Sequence, residues 1–129
     1  MIDIENQVFN YVVNALRAEF PNINVSNEEV ETPESFPAVS IVESNNAVVA
    51  ETSTLRRLPE TACTLMYTVN IYSNLQVGQR RSQAKRIAEI VDDRMREMGF
   101  RRNILNPMEN LDRTIYRMVG RYTKTYQIY

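Results

Sequence analysis

Two stretches of the chain place apolar residues at helical spacing, one near its start and one after its middle. The first runs from Ile4 to Phe20, with Asp3 as the expected N-cap and Pro21 as the residue that ends it. The second covers residues 76–98, and Gly99 follows where a helix end favours glycine. Its apolar stripe consists of Ala84, Ile87, Ala88, Val91, Met95 and Met98. Both stretches are predicted to be amphipathic helices.

Alternation of apolar and polar positions predicts strands in the rest of the chain. The clearest strand covers residues 61–73, where one face carries Cys63, Leu65, Tyr67, Val69 and Ile71. Weaker patterns predict strands near 23–25, 38–43, 100–106 and 113–129. We expect Asn106-Pro107 to turn the chain, and Gly120 to mark a bulge or a close backbone approach. Residues 44–60 fit a hairpin tip, a mobile loop or a further strand.

The order of these elements predicts the fold class. A helix, several strands, a second helix and two more strands are typical of an α+β fold. We expect one mostly antiparallel, twisted sheet with both helices packed on a single face. The length of 129 residues fits a single domain over 1–129. No apolar run approaches the ~20 residues that span a bilayer, and the first residues predict no secretory signal.

The composition excludes most catalytic and metal chemistry. The chain has no histidine and a single cysteine, Cys63. Histidine-dependent nucleophiles and zinc sites built from cysteine pairs are therefore impossible. The acidic run at residues 28–34 lacks the glycine-turned loop of a calcium site. We expect no cofactor, no metal and no enzymatic activity, and we expect Cys63 to be a small buried hydrophobe.

The net charge of −1 hides a segregation along the chain. Residues 1–54 carry nine acids and one base, whereas residues 55–129 carry seven acids and fourteen bases. Thirteen of the fifteen bases are arginine, which suits pairing with carboxylates or phosphates. Four bases lie in the first turns of the second predicted helix: Arg80, Arg81, Lys85 and Arg86. The pattern fits a solvated face, nucleic-acid binding, or pairing of acidic and basic patches within one chain or between copies.

The last predicted strand is long for a domain of this size. Fully extended, residues 113–129 would reach about 55 Å, against a domain diameter of roughly 36 Å. The segment contains four of the seven tyrosines and three arginines: Tyr116, Tyr122, Tyr126, Tyr129, Arg113, Arg117 and Arg121. Tyrosine and arginine dominate protein interfaces. The segment is therefore either a projecting strand that pairs with another chain or a curled strand whose tyrosines cover the sheet.

The second half of the chain resembles a known family. The helix end Met98-Gly99-Phe100 is followed by the turn Asn106-Pro107 and by a strand that reads Tyr116-Arg117-Met118-Val119-Gly120-Arg121-Tyr122. This succession is similar to the C-terminal half of tail terminator and tail-completion proteins of long-tailed bacteriophages and related prophage elements. The first helix and the strand at 61–73 also fall where that family has them.

The resemblance implies a structural role in virion assembly and no catalytic residues. Such proteins form a hexameric ring that caps the tail tube and meets the head-tail connector, in the tail or neck of a virion assembled in the host cytoplasm. DNA passes through such a ring without specific binding. We expect bases of this chain to meet acids within residues 28–51 of the next subunit. The expected contact residues are Arg56, Arg57, Arg80, Arg81, Tyr116, Arg117, Arg121 and Tyr122.

Two other functions fit parts of the sequence. A nucleic-acid-binding α+β module would use the basic C-terminal half, with arginines beside Tyr116 and Tyr122 as stacking rings. The acidic isoelectric point and the absence of a binding signature speak against it. A small enzyme would need a tyrosine–carboxylate pair, such as Glu43 with Tyr67 or Tyr72, in a deep pocket.

Overall fold

The computed structural model describes residues 3–30, 32–48 and 62–127. Two helices and a five-stranded sheet lie in this part of the chain, so the predicted α+β class is confirmed. In chain order the elements are α1 (Glu5–Glu19), β1 (Asn24–Ser26), β2 (Ala38–Val48), β3 (Ala62–Ser73), α2 (Arg80–Glu97), β4 (Arg101–Met108) and β5 (Tyr116–Gln127). Neither helix is long and apolar enough to cross a membrane.

The strands form one open sheet in the order β1-β2-β3-β5-β4. β1 runs parallel to β2, and the other pairs are antiparallel. β5 pairs with β3 over its whole length and carries β4 on its other side, at Arg117–Thr123. Of the two alternatives for the last strand, this pairing favours a strand within the sheet, because most of β5 has a partner on both sides and residues 124–127 pair with β3 alone.

One apolar core joins both helices to the sheet. It contains the predicted apolar face of β3 together with Val8, Val12 and Leu16 of α1 and Ile87, Val91 and Met95 of α2. Cys63 is fully buried in this core, as predicted. The helices lie antiparallel, since Arg86 near the start of α2 bonds Glu19 at the end of α1 over 2.7 Å.

Several element ends differ from the sequence prediction, among them the end of β2 at Val48 and the start of β5 at Tyr116. α2 begins only at Arg80, because the residues before it form a turn with Gly78 at φ +93°. The N-cap of α1 is Ile4, and Asp3 instead accepts a hydrogen bond from the Glu5 N–H over 3.1 Å. Pro107 does not end β4: it pairs opposite Met118 on the outermost strand, where a missing N–H is tolerated.

A Schellman motif closes the end of α2 and explains the Gly-Phe pair at 99–100. The Gly99 N–H donates to the Arg96 carbonyl over 2.9 Å, and the Phe100 N–H donates to the Met95 carbonyl over 3.0 Å. Gly99 has φ +89°, a conformation that favours glycine. The Lys124 ammonium donates to the Met98 carbonyl over 2.6 Å, which places a cation at the negative end of the helix.

Gly120 marks a close approach of β5 to its neighbours, and the bulge lies elsewhere. The register slips in β4 between Arg102 and Ile104, whereas the pairing of β5 with β3 is regular through Gly120. A Cβ atom on Gly120 would lie 3.1 Å from both Leu105 Cδ1 and Tyr122 Cε2. A larger side chain at this position would therefore require the Leu105 and Tyr122 side chains to move by a few tenths of an ångström.

We expect Gly120→Val to lower the free energy of unfolding by about 2 kcal/mol, because the added methyls overpack this contact. Urea denaturation followed by circular dichroism measures the change. Thr125→Val is the matched control, since that residue is exposed on the same strand. Equal stability of the two variants would contradict the assignment of Gly120 as a close-packing position.

Candidate interaction surface

Several exposed apolar side chains lie on the loops at the end of the sheet where β3 stops and β5 starts. Ser73 pairs with Tyr116, so the loop 74–79 and the loop 109–115 lie side by side. Arg80, which follows the first loop, links it to the second, because its Nη1 donates to the Thr114 carbonyl over 3.0 Å. We define the apolar end as the exposed side chains on or next to these loops: Leu75, Val77, Met108 and Leu111.

The apolar end is the main apolar feature of the described surface. It holds four of the five large apolar side chains that are exposed in residues 3–30, 32–48 and 62–127. Val77 is 84% exposed and Leu111 is fully exposed. Scattered apolar residues on a surface are ordinary, but several on neighbouring loops at one end of a molecule make that end a candidate docking site.

The sequence prediction missed the apolar end, although a signal was present. Val77 precedes Gly78 in a turn, and Leu111 stands between Asn110 and Asp112 in another. Apolar residues inside turn-forming segments have no strand or helix face on which to be buried. They are therefore candidates for contact with a partner.

Three of the predicted contact residues come together beside the apolar end. Arg80, Tyr116 and Arg117 line one shallow cavity of about 240 Å³, together with Arg113 and Met108. The sequence proposed these residues separately, from the basic start of α2 and from the tyrosines and arginines of β5. The pairing of β5 with β3 brings the two sets to one end of the molecule.

The other predicted contact residues are placed differently. Arg81 and Arg121 are exposed and have no ion pair or hydrogen bond to another described side chain. Tyr122 is fully buried and donates a hydrogen bond to Asp92 Oδ1 over 3.0 Å, so its prediction as a surface contact is wrong. Arg56 and Arg57 lie outside the described residues.

Arg117 is held within the chain. Its Nε and Nη2 donate to Asn70 Oδ1 over 3.1 and 2.7 Å, and its Cζ lies 5.7 Å from the centre of the Tyr72 ring. The side chain is half-buried against β3. It therefore shapes the surface and is less available to a partner than Arg81.

Several charges are paired inside the chain, although only the Arg86–Glu19 pair joins the acidic half to the basic half. Arg86 pairs with Glu19 and with Glu89, and Arg102 lies 3.3 Å from Asp92. The Arg86 hydrogen bond holds the pKa of Glu19 below its usual range. Further pairs join Arg94 to Glu97 and Arg96 to Asp92. These pairs leave fewer individual side chains available to a second copy, while the net imbalance between the two halves is almost unchanged.

Two uncompensated patches remain among the described residues. The basic patch consists of the exposed Arg81 and Lys85 at the start of α2. The acidic patch consists of the exposed Glu28, Glu29 and Glu34 in the loop after β1. Neither patch makes an ion pair within the described chain. Each is free to meet the other on a second copy.

The residues that the nucleic-acid alternative would use are placed in different ways. Of its two stacking rings, Tyr122 is buried, whereas Tyr116 is half-buried and lines a cavity with Arg80 and Arg113. Arg117 is engaged with Asn70. Four more bases of the C-terminal half are in ion pairs: Arg86, Arg94, Arg96 and Arg102.

Glu43 and Tyr67 meet where the start of α1 lies against β2 and β3. The Tyr67 hydroxyl lies 3.5 Å from Glu43 Oε1. Burial, together with the neighbouring carboxylates of Glu5 and Asp3, raises the pKa of Glu43 to about 7. Burial and the carboxylates of Glu43, Glu5 and Asp3 raise the pKa of Tyr67 above its usual range. The Glu43 carboxyl and the Tyr67 hydroxyl therefore both keep their protons to a higher pH than free side chains do.

The raised pKa of Glu43 predicts a pH-dependent stability. The folded chain holds the proton up to about pH 7, whereas the unfolded chain releases it near 4.5. Stability from this group is therefore fully present below 4.5 and is lost as the pH rises to 7. Because the carboxyl is partly exposed, we expect a loss of only about 1 kcal/mol. Urea unfolding across this range should show the slope in the native chain and lose it in Glu43→Gln. An unchanged slope in that variant would contradict the assignment.

No protein-family model matches the sequence, and no curated protein matches it. The likeness to tail terminators stays a prediction from residue pattern.

Proposed function

We propose that this protein is a ring-forming structural component of virion assembly, similar to a phage tail terminator. In this role it caps the tail tube and joins it to the head-tail connector. The observation that carries the proposal is the apolar end, where the Val77 and Leu111 side chains are almost wholly exposed to solvent. Because exposed apolar side chains at one end of a molecule favour protein contacts, this end is suited to dock on a partner ring.

The two uncompensated patches support head-to-tail contact between copies. A closed ring needs two different surfaces of one chain that meet around a rotation axis. The basic patch of Arg81 and Lys85 and the acidic patch of Glu28, Glu29 and Glu34 are such a pair. Identical patches repel each other, so the same charges disfavour face-to-face dimers.

The finer architecture is part of the same proposal. A tail-terminator-like domain has a twisted sheet with both helices on one face. The single core that contains residues of α1, α2 and the alternate positions of β3 supports this arrangement. Six subunits per ring follow from the resemblance alone.

Arg81→Glu is expected to weaken association of the copies about tenfold or more, because it places an acid against the acidic patch. Arg80 is a poorer probe, since its guanidinium also holds the Thr114 carbonyl. Sedimentation velocity measures association, and thermal unfolding checks that the subunit is unchanged. The matched control is Arg101→Glu, an exposed arginine on β4. Equal weakening by both changes would contradict a specific contact at Arg81.

Electron microscopy of the concentrated protein in negative stain tests the proposed assembly. Closed rings with rotational symmetry, and their attachment to the ends of purified tail tubes, are the expected results. Particles of monomer size that leave the tube ends bare would overturn the proposal.

A further inference from the structure

Three arginines line a shallow hollow where α2 ends and β4 begins. The hollow has a volume of about 460 Å³, and its lining consists of Arg96, Gly99, Phe100, Arg101 and Arg102. A single water needs only about 10–15 Å³ of such space, so the hollow admits a small ion together with hydration water. Among the described residues that line it, three are cations and none is an acid.

Two of the three guanidinium groups share one carboxylate oxygen. Asp92 Oδ2 lies 3.3 Å from Arg102 Nη1 and 3.9 Å from Arg96 Nη1. Both arginine side chains are about half exposed or more, so a ligand from solvent can reach their remaining N–H donors. One carboxylate thus holds two guanidinium groups close together and leaves one of their positive charges uncompensated.

Two further cations add to this surplus. Arg101 is exposed and makes no ion pair or hydrogen bond to another described side chain. A Cβ atom on Gly99 would lie 3.4 Å from Lys124 Nζ, so an ammonium stands next to the hollow. Its hydrogen-bond acceptor is a backbone carbonyl, which carries no net charge. The Glu97 carboxylate at the end of α2 is already paired with Arg94.

The charge and the donors of the hollow suit a doubly charged oxyanion. Guanidinium groups donate pairs of N–H bonds that match the oxygens of a phosphate. A surface cleft lined by one sign of charge also concentrates the opposite ion. A phosphomonoester carries a charge of about −1.5 to −2 at pH 7, whereas each phosphodiester of a nucleic acid carries one negative charge. A surplus of more than one positive charge therefore favours the phosphate dianion over the diester.

We propose that this hollow binds a phosphate dianion, either free or at the end of a phosphomonoester. Arg96 and Arg102 are held by Asp92 and offer their remaining donors, and Arg101 adds a charge that no other side chain uses. Because the hollow is open, an ester oxygen can face solvent. All of these residues belong to one chain, so the site is independent of the proposed ring and is measurable whether or not rings form.

Titration of the protein with inorganic phosphate, followed by NMR at constant ionic strength, tests the site directly. We expect saturable shifts confined to the amides of residues 99–102 and to the side-chain N–H groups of the three arginines. Arg101→Gln should reduce the affinity about tenfold, because it removes a charge-assisted contact to the ligand and no contact within the chain.

The matched control is Arg17→Gln. Arg17 is exposed in the last turn of α1, at the opposite end of the antiparallel helix pair from the hollow. This variant should keep the wild-type affinity for phosphate. Absence of saturable shifts in the wild-type protein, or an equal loss of affinity in both variants, would overturn the site.

Two methyl esters identify the charge and the source of the ligand. Methyl phosphate is a dianion and should bind about as tightly as inorganic phosphate, whereas dimethyl phosphate is a monoanion and should bind at least about tenfold more weakly. Binding of inorganic phosphate alone would assign the site to the free ion, and binding of methyl phosphate as well would assign it to phosphomonoesters. Equal binding of dimethyl phosphate, or tighter binding of a short duplex DNA without terminal phosphates, would overturn the proposal.

Discussion

Asp92→Ala is expected to lower the free energy of unfolding by about 3 kcal/mol, the largest effect that we predict on stability. The Asp92 carboxylate accepts the Tyr122 hydroxyl over 3.0 Å and lies 3.3 Å from Arg102 Nη1. Its side chain is only 9% exposed. Burial and the Asp92 carboxylate hold the pKa of Tyr122 above its usual range, so the hydroxyl stays a donor. Removal of the carboxylate leaves that donor buried without a partner.

Two further variants separate this network from a general effect of the helix. Tyr122→Phe should cost about 1 kcal/mol, because Asp92 keeps its arginine partners. Asp93→Ala is the matched control, since its side chain is exposed on the same helix and should change stability by less than about 0.5 kcal/mol. Urea denaturation measures all three. Equal costs for Asp92→Ala and Asp93→Ala would show that the buried network does not stabilise the fold.

The double change Val77→Asp and Leu111→Asp is expected to weaken docking on tail tubes by about a hundredfold or more. Both side chains are almost wholly exposed in the subunit, so their replacement leaves the fold intact. In a docked ring the same positions are desolvated, and two buried carboxylates without partners oppose binding strongly. Co-sedimentation of the protein with purified tail tubes measures the loss.

The matched control adds the same charge elsewhere. Asn10→Asp with Asn14→Asp places two carboxylates on the exposed side of α1. This variant should dock like wild type, and both variants should keep the thermal stability of the native chain. Undiminished docking by the Val77 and Leu111 variant would remove the apolar end from the contact.

Local chemistry made the helices and the central strand predictable. Periodicity located α1, α2 and β3, because each buries one face in the same core. Gly99 ends α2 through hydrogen bonds among neighbouring residues, which depend on sequence alone. The Gly-Phe pair that carries part of the resemblance to tail terminators thus has a structural cause, and helices outside that family can end in the same way.

Pairing between distant segments was not predictable from the pattern. The length of the last strand suggested a free edge, yet β5 lies inside the sheet because β4 folds back onto it. The sequence predicts Tyr122 as a contact residue, because alternation along a strand does not show which face of the sheet packs against the core. Its position opposite Tyr67 places it inside. The Arg86–Glu19 pair joins helices that are far apart in sequence, so the segregation of charge could not show that these two side chains pair within the chain.

Native mass spectrometry over a wide concentration range, with and without short duplex DNA, tests the central claim most directly. The proposed ring predicts one closed oligomer whose mass is a fixed multiple of 15.0 kDa and does not change when DNA is added. A chain that stays monomeric throughout the range, or that takes up DNA as a monomer, would contradict it.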